Sequence, residues 1–235
     1  MLLQAARYGR CIALSALLLA GLTVGCGKKA LTNVEYGNQH QILYYANGDE
    51  PKSLDPHLIT GTPDHNVIMN LFEGLTTLDS ATLEPTPGVA ESWTISEDQR
   101  VYTFELRKNA RWSNGDPVTA QDFVFAWRRA LTPSVPNHYA YMMYYLDGAE
   151  AFHKGKHQDF SRVGVKALSP HSLQVSLKHP THFFLQLLGH HSYYPIHEAT
   201  LLKFGRIDDP ASQWILPQNF VGNGPFVLKR WELNK

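Results

Sequence analysis

Cysteine is nearly missing from this 235-residue sequence, occurring only as Cys11 and Cys26, so a framework of disulfides cannot be what holds it together. Excess charge of either sign is absent too. Lys and Arg total 21 and Asp and Glu total 21, which leaves no overall field to gather nucleic acid or an anionic surface. The sequence contains no GxxxxGK[ST] loop, no GxGxxG turn, no GxSxG elbow and no HExxH pair. Nucleotide and hydrolase chemistry thus lose their usual signatures, and no enzyme activity and no cofactor is expected. Histidine, by contrast, is plentiful at 12 residues. The spacings His153/His157, His179/His182 and His190-His191/His197 lack the cysteine partners of a structural zinc set, so these are read as scattered surface histidines and no metal site is expected.

An apolar run long enough to cross a bilayer is lacking as well. Arg7 and Arg10 precede the apolar stretch Cys11 to Val24, whose fourteen residues rise about 21 Å as a helix against a hydrocarbon core of roughly 30 Å. The layout is that of a secretory signal over residues 1–25. Leu22-Thr23-Val24-Gly25-Cys26 resembles a bacterial lipobox, with Thr23 where that motif usually has Leu. Cys26 is therefore the expected lipidation site and the only cysteine left after cleavage. Two or three acyl chains, at about 0.8 kcal/mol per buried methylene, would hold the protein on a membrane almost permanently. The expected location is the periplasm or the outer face of the cell membrane. Residues 26–41 are polar and aperiodic and read as a tether.

The rest has the composition of a globular protein, 43% hydrophobic and 18% charged. A strand is predicted at Ile42 to Ala46. Thr62-Pro63-Asp64 reads as a helix start with Thr62 as cap, and Val67, Ile68, Leu71, Phe72 and Leu75 follow at helical spacing. Tyr102, Phe104 and Leu106 alternate with polar residues as a half-buried strand does. Asn114-Gly115-Asp116 marks a turn. Thr119 and Asp122 open a helix that buries Phe123, Trp127, Ala130 and Leu131, with Arg128 and Arg129 expected in water. Leu173, Val175 and Leu177 form a second alternating strand. Thr181 is expected to cap a helix carrying Phe183, Phe184, Leu187 and Leu188, and a last strand is predicted over Phe226 to Leu228. Mixed helices and strands without a repeat indicate an α/β protein. Tyr139, Tyr141, Tyr144 and Tyr145, with Met142 and Met143, admit two readings: a core or rim segment, or the adaptable wall of a binding cleft.

Three segments are more specific than any short motif: Pro87-Gly88-Val89-Ala90-Glu91-Ser92-Trp93, Tyr102 to Arg107, and Trp112-Ser113-Asn114-Gly115-Asp116-Pro117 on through Phe123. With Ser53-Leu54-Asp55-Pro56, Leu71 to Leu75 and Asn223-Gly224-Pro225-Phe226, they resemble the peptide- and nickel-binding family 5 of extracellular solute-binding proteins, in its oligopeptide-binding branch. The resemblance covers roughly residues 42 to 235.

It implies a periplasmic-binding-protein-like type II fold whose two lobes close on an oligopeptide and present it to the permease subunits of an ABC importer. Main-chain hydrogen bonds would supply affinity without reading the peptide's sequence. By the same resemblance, the Thr60-Gly61-Thr62 loop, Tyr139, His190 and the Asn223-Gly224 turn approach the ligand. Residues 42–72 and 199–235 correspond to a partial first lobe and 73–198 to an inserted subdomain. Relatives are roughly twice as long, so an incomplete fold is expected, without the second lobe and its acidic residue for the peptide amino terminus, and with weak or no peptide affinity. The competing expectations are a nickel, haem or dipeptide carrier on the same scaffold, and a signalling or adhesion lipoprotein that transports nothing.

Overall fold

A computed structural model describes residues 30–232. The expected signal (1–25) and Cys26 lie outside the described residues. No helix among the described residues is long and apolar enough to cross a membrane. The chain divides into two units, Met1–Ala46 and Asn47–Lys235.

In the first unit, helix α1 (Asn33–His40) occupies sequence expected to be aperiodic. A capping box explains it: the Glu35 carboxylate accepts from the Thr32 N–H at 2.8 Å, and the Thr32 hydroxyl oxygen accepts from the Glu35 N–H at 3.2 Å. The strand predicted at Ile42 to Ala46 is not formed. Its residues are exposed, Leu43 at 82%, and no strand among the described residues is paired to them. Apolar β-branched and aromatic composition favours a strand only where a neighbour supplies the ladder.

The second unit begins its regular structure with α2 (Thr62–Leu71). Its cap is Gly61, one residue before the predicted Thr62, and Pro63 sits in the first turn, where a missing N–H costs nothing. Ile68 and Leu71 are buried, as their spacing required, followed by buried Phe72 and Leu75. A short antiparallel ribbon pairs β1 (Thr76–Leu78) with β2 (Pro85–Pro87). The main sheet is antiparallel in the order β3 (Ala90–Ile95), β4 (Val101–Leu106), β6 (Ser172–Ser176), β5 (Val165–Ser169). Tyr102, Phe104 and Leu106 from β4 and Leu173 and Val175 from β6 are buried together, so the alternation read from the sequence is the observed inward face. The turn at Asn114–Asp116 is closed by Trp112 N–H to the Asp116 carbonyl at 2.9 Å.

Helix α3 (Ala120–Leu131) packs along β5. The Asp122 carboxylate reaches back to the Thr119 N–H at 2.7 Å, as the predicted capping box requires. Trp127 is fully buried and donates its indole N–H to the Tyr193 carbonyl at 2.9 Å. The remaining helices are short: α4 (Ala149–His153), α5 (Phe184–Leu187) and α6 (Glu198–Phe204). Thr181 does not cap α5, because its hydroxyl donates instead to the His179 carbonyl at 3.0 Å, and the helix starts only at Phe184. The strand predicted over Phe226 to Leu228 is also absent. Gly224 and Phe226 donate their N–H groups to the carbonyls of Leu71 and Asn70, the end of α2, at 3.0 and 3.1 Å. Terminal helix carbonyls need donors from outside the helix, and this segment supplies them.

The largest departure concerns Arg129. Expected in water, it is 0% exposed. Its guanidinium grips Asp55 through both carboxylate oxygens at 2.9 and 2.6 Å, donates to His57 Nδ1 at 3.0 Å, and donates to the Ile207 carbonyl at 2.9 Å. Burial alone would push the Asp55 carboxyl up, but the Arg129 charge and its hydrogen bonds hold it below the usual carboxylate range. Removing one partner of such a pair strands the other charge. We expect Arg129→Ala to cost about 3–5 kcal/mol, read as a lowered urea midpoint, and Asp55→Asn with Arg129→Met to recover most of that loss. Equal loss in the single and double variants would contradict this account.

Candidate functional site

The site is assembled around Tyr139, which stands just before the 3-10 turn Ala140–Tyr145. Asn137 is buried and ties this turn to the end of α3. Its amide donates to the Ala130 carbonyl at 3.1 Å, and its Oδ1 accepts from the Tyr139 N–H at 3.0 Å. So fixed, the Tyr139 hydroxyl donates to the Thr60 carbonyl at 3.2 Å.

Gly61 follows in the same loop. Its N–H donates to the buried Asp64 carboxylate at 3.1 Å, and a Cβ on residue 61 would lie 2.9 Å from that oxygen, so a side chain would press on the cap. Thr60 and Thr62 are exposed, while Tyr139 and His190 are half-buried.

His190 meets the Tyr139 ring edge-on, with centroids 4.9 Å apart at 70°. Two further histidines join them. His191 lies 5.4 Å from Tyr139 and 4.0 Å from His190, and His65 of α2 lies 5.4 Å from His191 and 6.3 Å from His190. The hydrogen bonds fix two tautomers. His191 faces the Pro56 carbonyl with Nδ1 at 2.7 Å, and a carbonyl only accepts, so Nδ1 carries the proton. His190 Nδ1 accepts from the Ser192 N–H at 3.3 Å, so its proton is on Nε2.

Burial, then the neighbouring imidazoles His191 and His65, pushes His190 down to about 3. Burial likewise takes His191 to about 4, and burial followed by the Arg129 charge takes His57 to about 3. His65 is lowered by burial. At neutral pH these rings are uncharged polar groups. No group of three or more His, Cys, Asp or Glu with metal-holding geometry occurs among the described residues.

Thr60, Gly61, Thr62, Tyr139 and His190, predicted separately, thus gather at the N-terminal end of α2. Asn223 and Gly224 do not join them. They sit at the other end of that helix, where Asn223 pairs with both backbone groups of Glu73, accepting at 3.1 Å and donating at 2.9 Å. At Gly224 a Cβ would come within 2.5 Å of the Leu71 backbone, so glycine is required by packing. Among the tyrosines, Tyr141 is exposed and Tyr144 half-buried, while Met143 is fully buried, so the segment forms a rim whose inner side joins the core. A groove of about 790 Å³ bounded by α3 and β5, with Phe125, Phe160 and Lys166 in its walls, contains none of the predicted residues.

Sequence patterns alone do not mark His65, His191, His57, Asp55 and Arg129 as participants. One signal is present: Arg129 stands one turn beyond buried Phe125 and Ala126, on the covered side of α3.

Residues 84–235 match the family described as bacterial extracellular solute-binding proteins, family 5 middle. The chain belongs to that family. It is 43% identical over 199 residues to the periplasmic oligopeptide-binding protein OppA of Escherichia coli, a match covering 84% of this chain and 35% of that protein. It is 36% identical over 224 residues to the dipeptide-binding protein DppE of Bacillus subtilis, covering 92% and 40%. Among solved structures, the E. coli murein tripeptide binding protein MppA aligns with TM-score 0.73 at 38% identity over 80% of this chain and 35% of that one. Haemophilus influenzae OppA in complex with RPPGFSPFR aligns with TM-score 0.73 at 38% identity over 80% and 36%. The fold of this family 5 chain is the α/β fold of the type II periplasmic binding proteins, and the chain spans about 35% of the length of such relatives.

The three strongly depressed histidines set the direction of an acid response. Each is neutral when folded and ionises near pH 6.5 when unfolded, so its stabilisation is complete above pH 6.5 and is lost as pH falls toward 3–4. The thermal midpoint should fall steadily between pH 6.5 and 5, before most carboxylates titrate. A calorimetric series with a flat or rising midpoint across that window would refute the burial of these imidazoles in neutral form.

Proposed function

We propose that this chain supplies one wall of a cleft that captures oligopeptides for an ABC importer, with the Thr60–Thr62 loop, Tyr139 and His190 as its peptide-facing residues. The observation that carries the reading is that five residues assigned to the ligand from the sequence converge around one hydrogen bond, Tyr139 to Thr60, in a chain 43% identical to an oligopeptide-binding protein. Uncharged donors and acceptors suit a ligand engaged through its main chain, since backbone groups are alike in every peptide. Asn223 and Gly224 contribute at one remove, by fixing the end of α2 at its Leu71–Glu73 backbone. In this reading residues 42–72 and 199–235 belong to the first lobe and 73–198 to an inserted subdomain. The chain catalyses no reaction.

Titration of the isotopically labelled chain with a tripeptide mixture should move the amide signals of Thr60, Gly61, Thr62, Tyr139 and His190 first, with an affinity weaker than micromolar. Shifts clustered in the groove between α3 and β5, or none at millimolar peptide, would count against this wall.

The membrane attachment is part of the same proposal. Residues 1–25 act as a secretory signal and Cys26 takes the lipid, which keeps the protein at the outer face of the membrane beside the permease subunits. Cells given palmitate should label the wild type and not Cys26→Ser, and globomycin should block processing. Label on the serine variant would remove the anchor from the proposal.

A further inference from the structure

Tyr139 is held from two sides. Its hydroxyl reaches the Thr60 carbonyl at 3.2 Å, while its ring rests edge-on against His190 and His191. The start of the loop it holds is fixed, since His57 is buried with its N–H on Asp55 and its ring on Arg129, and Ile59 is buried. The part beyond, Thr60–Gly61, is fastened otherwise only near the start of α2, by Gly61 N–H to Asp64 and His65 N–H to the Gly61 carbonyl at 3.0 Å. While Asn137 holds its backbone, the Tyr139 ring is supported by His190 and His191, ahead of and within the 3-10 turn His191–Tyr193, and these in turn rest against His65 on α2. We propose that this His65–His190–His191 cluster is a proton-operated latch, closed when all three rings are neutral and released when they take up protons, freeing Tyr139 and with it the Thr60–Gly61 segment.

The geometry leaves little room for charge. Centroids 4.0 Å apart place two imidazolium ions in contact, and like charges that close repel strongly away from bulk water. Three sides face the cluster. From α2 comes Asp64, already committed to the Gly61 and Lys52 N–H groups. From the segment before α2 come His57 and Asp55, the latter held by Arg129 of α3. From the turn after α3 comes the phenol ring of Tyr139, with Tyr141 beside it. The Arg129 and Asp55 charges offset each other, so one further carboxylate, Asp64, stands near three titrating rings.

His65 Nδ1 is buried without a partner, so that ring gains nothing from staying packed once charged. Ionisation of His190 at Nδ1 also turns the acceptor of the Ser192 N–H into a donor and breaks that cap. The direction of the burial effects on all three rings agrees with the geometry. Opening that releases one ring to water should become more favourable by on the order of 20-fold between pH 7 and pH 5, and by the product of such factors when several rings are released together. Only the consequence for ligand, capture at neutral pH and release in acid, rests on the peptide-cleft reading; the latch itself rests on the rings and the loop.

Hydrogen exchange of the unliganded chain tests it without any peptide. After correction for intrinsic rates, the Gly61 and His65 amides should lose at least about 20-fold in protection from pH 7 to pH 5 and should exchange faster than the Tyr102–Leu106 amides of β4. His65→Phe with His190→Phe, which keeps the ring contacts and cannot titrate, should reduce that loss. Tyr139→Phe should raise loop exchange already at pH 7. Equal exchange in loop and β4 would mean global unfolding and overturn the latch, as would an unchanged pH step in the double variant. Should that variant fail to fold, the wild-type imidazole resonances decide: displaced, mutually dependent titrations support the latch, and independent titration near pH 6.5 overturns it.

Discussion

Arg129 is the point on which the second unit turns. One guanidinium, delivered by the last turn of α3, is shared by the Asp55 carboxylate, the His57 ring and the Ile207 carbonyl. Those partners come from before α2, from within the same loop and from after α6, so a single planar group sets the mutual position of segments far apart in the chain. A fork of fixed donors does this where a lysine's point charge would not. Once Asp55 and His57 are pinned, the loop that runs on through Thr60 and Gly61 has one end immovable, and the Pro56 carbonyl is placed to receive His191. The candidate wall is thus built outward from a buried ion pair that lies behind it.

Burial of polar groups around that pair has an electrostatic cost, and the surrounding histidines bear it by staying neutral. Neutral imidazoles can donate and accept while adding no field of their own, which is the property a surface needs if it is to hold main chain without favouring side chains of one sign. The same economy appears in Asn223, whose side-chain amide reproduces a peptide group and satisfies both backbone groups of Glu73.

Much of the fold is legible in the sequence because periodicity reports a covered face directly. Tyr102, Phe104, Leu106, Leu173 and Val175 alternate and are buried, and the Thr119–Asp122 box starts α3 where its residues say it should. Legibility ends where a segment's partner decides its state. Ile42 to Ala46 has strand composition and no paired neighbour among the described residues, and Phe226 to Leu228 is turned to the end of α2. Arg129 departs from expectation because charge usually marks the surface, whereas a helix covered nearly all round must bury whatever its sequence puts there. Of the site, the resemblance located Thr60, Gly61, Thr62, Tyr139 and His190 individually. That His65 and His191 complete the group follows only from the crossing of α2 with the turn at residue 191, a tertiary relation no local pattern carries.

The Asn223–Glu73 tie has a kinetic side. Its two groups are separated by 150 residues, and the Arg129–Asp55 contact spans 74. Contacts so remote in sequence are closed late and slowly, because the entropy of a long loop is lost before the bond is gained. During synthesis the Asn70 and Leu71 carbonyls of α2 and the Glu73 backbone wait for residues 223–226 to leave the ribosome, so these bonds beyond the last turn of the helix that carries the candidate wall form only after about 150 further residues are made.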